Sequence, residues 1–396
     1  MSITEVDYHI IILGGGIVGL ALANKLAPLG LKIAIIEKSS PKTLTVNQDY
    51  DLRVVAINHA SESLFRDIQC WDSISNLRYS PYYKMKVWES GKSGNIEFDC
   101  QKVHTPNLGY IIEQNVIIQS LIKRLELFPT VNIIWNSEAS AVKVHDEYGL
   151  LTLNNNPQYR FKLLVGADGK DSWLRHTFAI AGHEHDYQHH ALITHIHCGQ
   201  PHLNTAYQIF LPTGPLAFLP LADPHLCSIV WSTLPAIADT LKTLSDHEFN
   251  QTLETQFESK LGKLKKIAPL VAFPLKLQHA HHYVQARIAL IGDAAHTVHP
   301  LAGLGVNLGL QDVTSLAQIL EKSLHDNRDI GLMKTLKRYE RERRGENLIM
   351  LSCISGFKDL FNSKLPIVGT LRNQALNFTN QTPWLKELFI RKAMGI

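Results

Sequence analysis

The feature that most restricts this chain lies at its start. Tyr8 to Leu13 is a short β-rich run that leads into Gly14-Gly15-Gly16-Ile17-Val18-Gly19. Helical periodicity follows from Ile17 to Leu29, and a second strand-like run spans Leu31 to Glu37. Strand, glycine turn, helix and strand in that order make a βαβ unit, and the glycines fit G-x-G-x-x-G. Each glycine answers a different steric demand. Gly14 makes the tight turn, Gly16 lets backbone approach a pyrophosphate, and Gly19 permits close helix-strand packing. The helix that begins here presents unpaired N–H groups and about half a positive charge to phosphates. Glu37 closes the second strand 18 residues after Gly19, placed to accept hydrogen bonds from an adenosine ribose. The motif therefore predicts dinucleotide binding.

The rest of the chain must complete that fold. At 396 residues, with 45% hydrophobic and 19% charged residues, it can bury the cores of two or three domains and leaves little room for long disorder. A net charge of +3, without a dense basic stripe, excludes nucleic acid as an expected partner. Glu5 and Asp7 precede the first apolar run, so a signal peptide is not expected and the cytoplasm is. The run Ile10 to Ala23 is broken by glycines and too short to span a bilayer. Five scattered cysteines, Cys70, Cys100, Cys198, Cys227 and Cys353, read as reduced and mostly buried thiols.

Along the chain, Lys84 to Cys100 reads as a hairpin turned by Ser90 to Gly94, Ile111 to Leu127 as a helix, and Asn132 to Val165 as several strands with a turn at Asn154-Asn155-Asn156-Pro157. Tyr187 to Pro274 reads as short proline-broken strands with one helix from Ser245 to Leu261, a second domain on an antiparallel sheet. Strand-turn-helix grammar returns at Ala286. The last fifty residues read as helical, with Leu351, Ile354, Phe357, Leu360 and Phe361 on one apolar stripe. The expected division is a discontinuous first domain (1–76, 105–180, 280–345), a second domain (77–104, 181–279) and a C-terminal helical region (346–396).

Two later motifs narrow the chemistry. Val165-Gly166-Ala167-Asp168-Gly169, with Ser172 and Arg175, passes from a strand into a helix. Ile291-Gly292-Asp293-Ala294-Ala295-His296 does the same and continues through His299-Pro300-Leu301-Ala302-Gly303-Leu304-Gly305-Val306-Asn307. In this order the three motifs resemble the FAD-dependent aromatic monooxygenases of the p-hydroxybenzoate hydroxylase fold. Asp51-x-Arg53, Ile111-Ile112-Glu113, Asp186 to Leu192, Leu219-Pro220-Leu221 and Tyr339-Glu340-Arg341-x-Arg343 resemble the ring hydroxylases of ubiquinone biosynthesis. Ala222 to Trp231 and Gly356 to Phe361 look most like the 2-octaprenylphenol C5-hydroxylase branch.

The resemblance implies an α/β fold: an FAD-binding Rossmann-like domain of the glutathione reductase type, an antiparallel-sheet substrate domain and a C-terminal helical region. It implies that Gly14, Gly15, Gly16 and Gly19 form the pyrophosphate loop and Glu37 the ribose acceptor. Arg53 would lie over the phosphates or flavin edge, Gln114 at the cofactor's middle, Asp168 near the pyrophosphate and entering nicotinamide, and Asp293 on the ribityl hydroxyls. Pro300, Gly303, Gly305, Val306 and Asn307 would pass backbone N–H groups along the isoalloxazine. Leu304 departs from the family's usual Gln, so a side-chain hydrogen bond is lost there while backbone contacts survive.

The implied chemistry is hydroxylation of a polyprenylphenol, at C5, with bound FAD, transient NAD(P)H and O2. The protein's part is to orient the ring and exclude water. The sequence shows no dedicated base; Tyr207, His189, His190 and His299 qualify by chemistry alone, and His299, Pro300 and Tyr207 are the catalytic candidates. The histidines at 183, 185, 189 and 190 lack metal-ligand spacing, and no metal is expected. Beyond phenol and O2, the reading admits a ubiquinone-biosynthesis multiprotein complex, a second copy of the chain and peripheral contact at the inner face of the membrane. Another small-aromatic monooxygenase and a flavin-binding scaffold without chemistry are the alternatives.

Overall fold

The computed structural model describes residues 6–41, 50–91, 94–297 and 304–362 with 387, 391, 394 and 395; for residue 304 and residues 351–362 only the backbone is described. Among the described residues the chain builds three sheets. The first contains five parallel strands in the spatial order Ile288–Leu290, Gln158–Gly166, Tyr8–Leu13, Ile33–Glu37, Val131–Trp135. Ala139–Val144, Gly149–Leu153 and Val284–Gln285 join it antiparallel. Ile10, Ile11 and Ile12 are fully buried on both faces, which explains why this strand reads as an unbroken apolar run. The helix Ile17–Leu26 packs between the helices Gln114–Leu125 and Leu304–His325.

The second sheet runs His296–Thr297, Val271–Ala280, Gly182–Cys198, Leu226–Thr233, Gly214–Pro220, Thr205–Leu211, Lys84–Glu89, Asn95–Asp99, with Leu264–Lys266 beside Gly182–Cys198. Its strands alternate. Ile229 and Trp231 enter a core covered by Leu241, Phe249, Leu253 and Phe257, while Val230 and Ser232 face the other way into a cavity. A small third sheet, Val54–Ile57, Gly109–Glu113 and Ser80–Tyr82, closes one side.

Several expectations need correction. Ile111 to Glu113 is the end of a buried strand, and the helix starts only at Gln114. Tyr187 to Pro274 is not built of short strands throughout, because Gly182–Cys198 is one strand of 17 residues with a register shift between Asp186 and His189. The histidines at 183, 185, 189 and 190 lie within this strand. The helix Pro235–Thr243 runs against expectation, since Pro235 reads as a breaker but sits in the first turn, where its missing N–H costs nothing. The helix expected from Ser245 to Leu261 spans Asp246–Gln256, with Ser245 as N-cap in a capping box with Glu248. The C-terminal helix Met333–Asn362 carries the stripe at 351–361, whose side chains lie outside the described residues. Cys70, Cys100, Cys198 and Cys227 are free and buried.

Candidate active site

Where the three sheets meet there is a cavity of about 590 Å³, a size that suits a sizeable ligand. The glycine turn forms one wall. Gly14 has φ +106°, and a Cβ there would come within 2.3 Å of the Ala167 carbonyl oxygen. A Cβ on Gly19 would come within 2.1 Å of the Gly14 oxygen, so the helix can approach the strand only without one. Gly16 differs. Nothing lies within 4 Å of its absent side chain, and Gly16, Ile17 and Val18 line the cavity, so the uncapped helix N-terminus opens onto space that a Cβ would begin to fill. Glu37 accepts the Gly15 N–H at 2.7 Å through Oε2 and the Ser39 N–H at 3.1 Å through Oε1. It braces the turn at the end of the second strand.

Opposite the glycines, Arg53 is exposed to the cavity beside Gln114, whose N–H donates to the Arg53 carbonyl at 2.9 Å. Glu113 fixes this segment by accepting the Asp51 N–H at 2.6 Å while pairing with Arg78. Burial raises its carboxyl above the ordinary range despite the opposing Asp51 N–H and Arg78. Asp168 accepts the Leu174 N–H at 3.2 Å in the first turn of the helix Trp173–Thr177, whose N-cap is Ser172, and its Oδ1 is buried without a partner among the described residues. Asp293 stands on the one-turn helix Gly292–Ala294, open to the cavity but ringed by protein that pushes its carboxyl upward.

Gly305, Val306 and Asn307 complete the wall from the first turn of Leu304–His325. The Asn307 side chain accepts from the Asn58 N–H at 3.0 Å and the Ser61 hydroxyl at 2.7 Å, and donates to the Ala56 carbonyl at 2.7 Å. These bonds tie the helix to the third sheet and to the helix that follows it, and they occupy the Asn307 side chain.

The other half of the cavity is apolar, lined by Tyr82, Met85, Phe98, Leu108, Leu219 and Val230 among others. Tyr207 lies on this wall, its hydroxyl donating to the His202 carbonyl at 3.4 Å, and burial pushes its phenol upward. His189 and His190 do not line it; His189 Nδ1 meets the Tyr187 carbonyl at 2.8 Å. His299, Pro300 and Gly303 lie outside the described residues.

One tie had no assigned role in the sequence. Arg175 donates to the Ala294 carbonyl at 2.8 Å and the Lys170 carbonyl at 2.7 Å, joining the two aspartate-bearing turns. Its place in the Asp168 motif was the available signal.

The Gly16 cradle, the open helix N-terminus, a carboxylate bracing the turn and a cationic side chain over the cavity fit an extended dinucleotide such as FAD. The molecule has the fold of the flavin-dependent aromatic monooxygenases: p-nitrophenol 4-monooxygenase PnpA from Pseudomonas putida DLL-E4 matches with a TM-score of 0.81 at 18% identity, covering 99% of each chain. Residues 7–351 match the family described as FAD binding domain. The chain is 35% identical to the 3-demethoxyubiquinol 3-hydroxylase of Escherichia coli (strain K12), across 99% of this chain and all of that one. It is 34% identical to the mitochondrial ubiquinone biosynthesis monooxygenase COQ6 of Danio rerio, across 96% of this chain and 88% of that one. This chain belongs to the FAD-dependent hydroxylases of ubiquinone biosynthesis. It is an aromatic hydroxylase with FAD as cofactor, and NAD(P)H is the typical co-substrate of its family.

Proposed function

We propose that the enzyme hydroxylates the ring of a polyprenylphenol at C5. The observation that carries the coarser part is the two-part cavity: a cofactor wall of glycine turn and aspartate turn, and facing it an apolar wall suited to a prenylated ring. The C5 position rests on Ala222 to Trp231 and Gly356 to Phe361. A second reading, another carbon of the same ring, is favoured by the relative named as a 3-hydroxylase.

Bound FAD supplies reducing equivalents and activates O2. The chain supplies the rest. Gly16 and the N–H groups that follow it hold the pyrophosphate, Glu37 the adenosine ribose, and Asp293 the ribityl hydroxyls; Arg53, Gln114 and Asp168 flank the cofactor, and Gly305, Val306 and Asn307 meet the flavin with backbone. Tyr207 orients the ring as a hydrogen-bonding wall residue, since its raised phenol makes it a poor base at neutral pH. The apolar lining excludes water from the reacting face.

In this reading 1–76, 105–180 and 280–345 form the cofactor domain, 77–104 and 181–279 the substrate domain, and 346–396 the C-terminal helical region. It also includes a cytoplasmic enzyme in peripheral membrane contact, because a polyprenyl tail partitions into lipid and Lys358, Lys364, Arg372, Lys386, Arg391 and Lys392 add positive charge near the C-terminus. A multiprotein complex and a homo-oligomer belong to the same reading.

The deciding experiment is mass spectrometry of prenylated phenols and quinones from cells of the source organism lacking this gene, grown in air. Accumulation of the unhydroxylated polyprenylphenol with loss of ubiquinone is expected. Accumulation of a later intermediate moves the reaction to another ring carbon, and unchanged ubiquinone in a strain with no second hydroxylase overturns the proposal.

A further inference from the structure

Beneath the Asp293 turn lies a buried charge cluster that the cofactor reading does not use. Asp312, fully buried on the helix Leu304–His325, gives one oxygen to two donors: its Oδ2 accepts the Gly292 N–H at 2.9 Å and His296 Nε2–H at 2.5 Å. Those donors stand on either side of Asp293. The other oxygen, Oδ1, accepts from Arg343 Nε at 2.8 Å and Asn347 Nδ2 at 3.3 Å, both from the helix Met333–Asn362. Arg343 is further held by the Asn347 Oδ1 at 2.9 Å, and Asn347 donates to the Tyr283 hydroxyl at 3.2 Å.

A buried ion pair is a poor way to gain stability, because desolvation cancels much of its attraction. What it supplies is direction. The turn Gly292–Ala294 links a strand of the first sheet, Ile288–Leu290, to a strand of the second, His296–Thr297, and Gly292 has φ +59°. Such a junction takes its angle from neither sheet alone. With Asp312 gripping both ends and Arg175 holding the Ala294 carbonyl at 2.8 Å, the one side chain of the turn left free is aimed into the cavity. The other ring nitrogen of His296, Nδ1, is buried without a partner among the described residues.

We propose that His296 is a positioning residue for the cofactor: through Asp312, itself anchored by Arg343, it sets the orientation of the Asp293 carboxylate. This rests on the reading that Asp293 meets the flavin's ribityl chain.

The test is a double-mutant cycle on FAD affinity, read by flavin fluorescence on apo protein refilled with FAD, with His296→Leu, Asp293→Ala and both together. His296→Leu is expected to weaken FAD by about tenfold or more, the loss of one charge-assisted bond. On the Asp293→Ala background it is expected to cost nothing further. Losses that add, or a His296→Leu affinity equal to the parent's beside a defective Asp293→Ala, overturn the proposal alone. An Asp293→Ala protein that binds FAD like the parent overturns the Asp293 reading and this proposal with it. Should the leucine variant fail to fold, His296→Gln and His296→Asn carry the test. Glutamine presents an N–H near the place of Nε2 and is expected to restore affinity, whereas asparagine falls short of Asp312 and is not. Equal affinity in the two overturns the proposal.

Discussion

At the scale of single residues, the molecule places polar side chains in its interior and leaves their mark on its response to acid. His279 is buried, with Nε2 bonded to the Tyr283 hydroxyl at 2.9 Å. Burial, joined by the nearby His296, Arg344, His281 and His183, pushes its imidazole down to about 4. A histidine held neutral in the fold binds a proton more readily once unfolded. Its contribution is therefore complete above its ordinary value of about 6.5 and is lost as pH falls toward 4, about 3 kcal/mol in all. Urea unfolding from pH 7 to pH 4 should show stability declining across that window, and His279→Gln should flatten the decline; parallel curves for parent and variant would refute it. The residues that make the dinucleotide turn were legible in the sequence because each glycine answers a separate steric demand at fixed spacing. Asp312 was not, since it reads as one more polar position of a helix and only the fold brings His296 and Arg343 to it.

At the scale of elements, the helix Leu304–His325 is fastened at its start as well as through Asp312. Asn307 meets three partners in the segment from Ala56 to Ser61. Replacing it with alanine strands a buried backbone N–H and a carbonyl, and the Asn307→Ala protein should lose about 2–4 kcal/mol in urea at an unchanged m-value. A loss within about 0.5 kcal/mol, the range of ordinary surface substitutions, would show that the helix is held elsewhere. Strands flanked by turns were readable from their periodicity. Ile111 to Glu113 was not, because a fully buried strand running straight into a helix offers no change of apolar pattern at the junction. The helix at Pro235 was hidden by the same residue that starts it, and the long strand Gly182–Cys198 by a register shift that breaks alternation.

At the scale of the whole molecule, the cavity draws its walls from all three sheets: Ala167 and Ile291 follow strands of the first, Ala217 and Val230 belong to the second, and Val54 to Ile57 to the third. A ligand seated there binds only the assembled molecule, so FAD should stabilise every part of it at once. At a free concentration of one hundred times its Kd the gain is about 2.7 kcal/mol. Calorimetry of apo protein with added FAD should show one transition moving upward as a unit; two transitions of which FAD moves only one would place cofactor binding within a single part and outside this cavity.

The turn that bears Asp293 also imposes an order in time. Its strand, Ile288–Leu290, is added beside Gln158–Gly166, and the helix that grips it begins at Leu304, whereas the residues of the glycine turn are all made by Gly19. A ribosome adding roughly 5–20 residues per second makes the two halves of the cofactor wall tens of seconds apart. Through that interval the nascent chain lacks the aspartate turn and the helix that grips it, so a cofactor that needs both halves of the wall is held only once the chain has grown past residue 304.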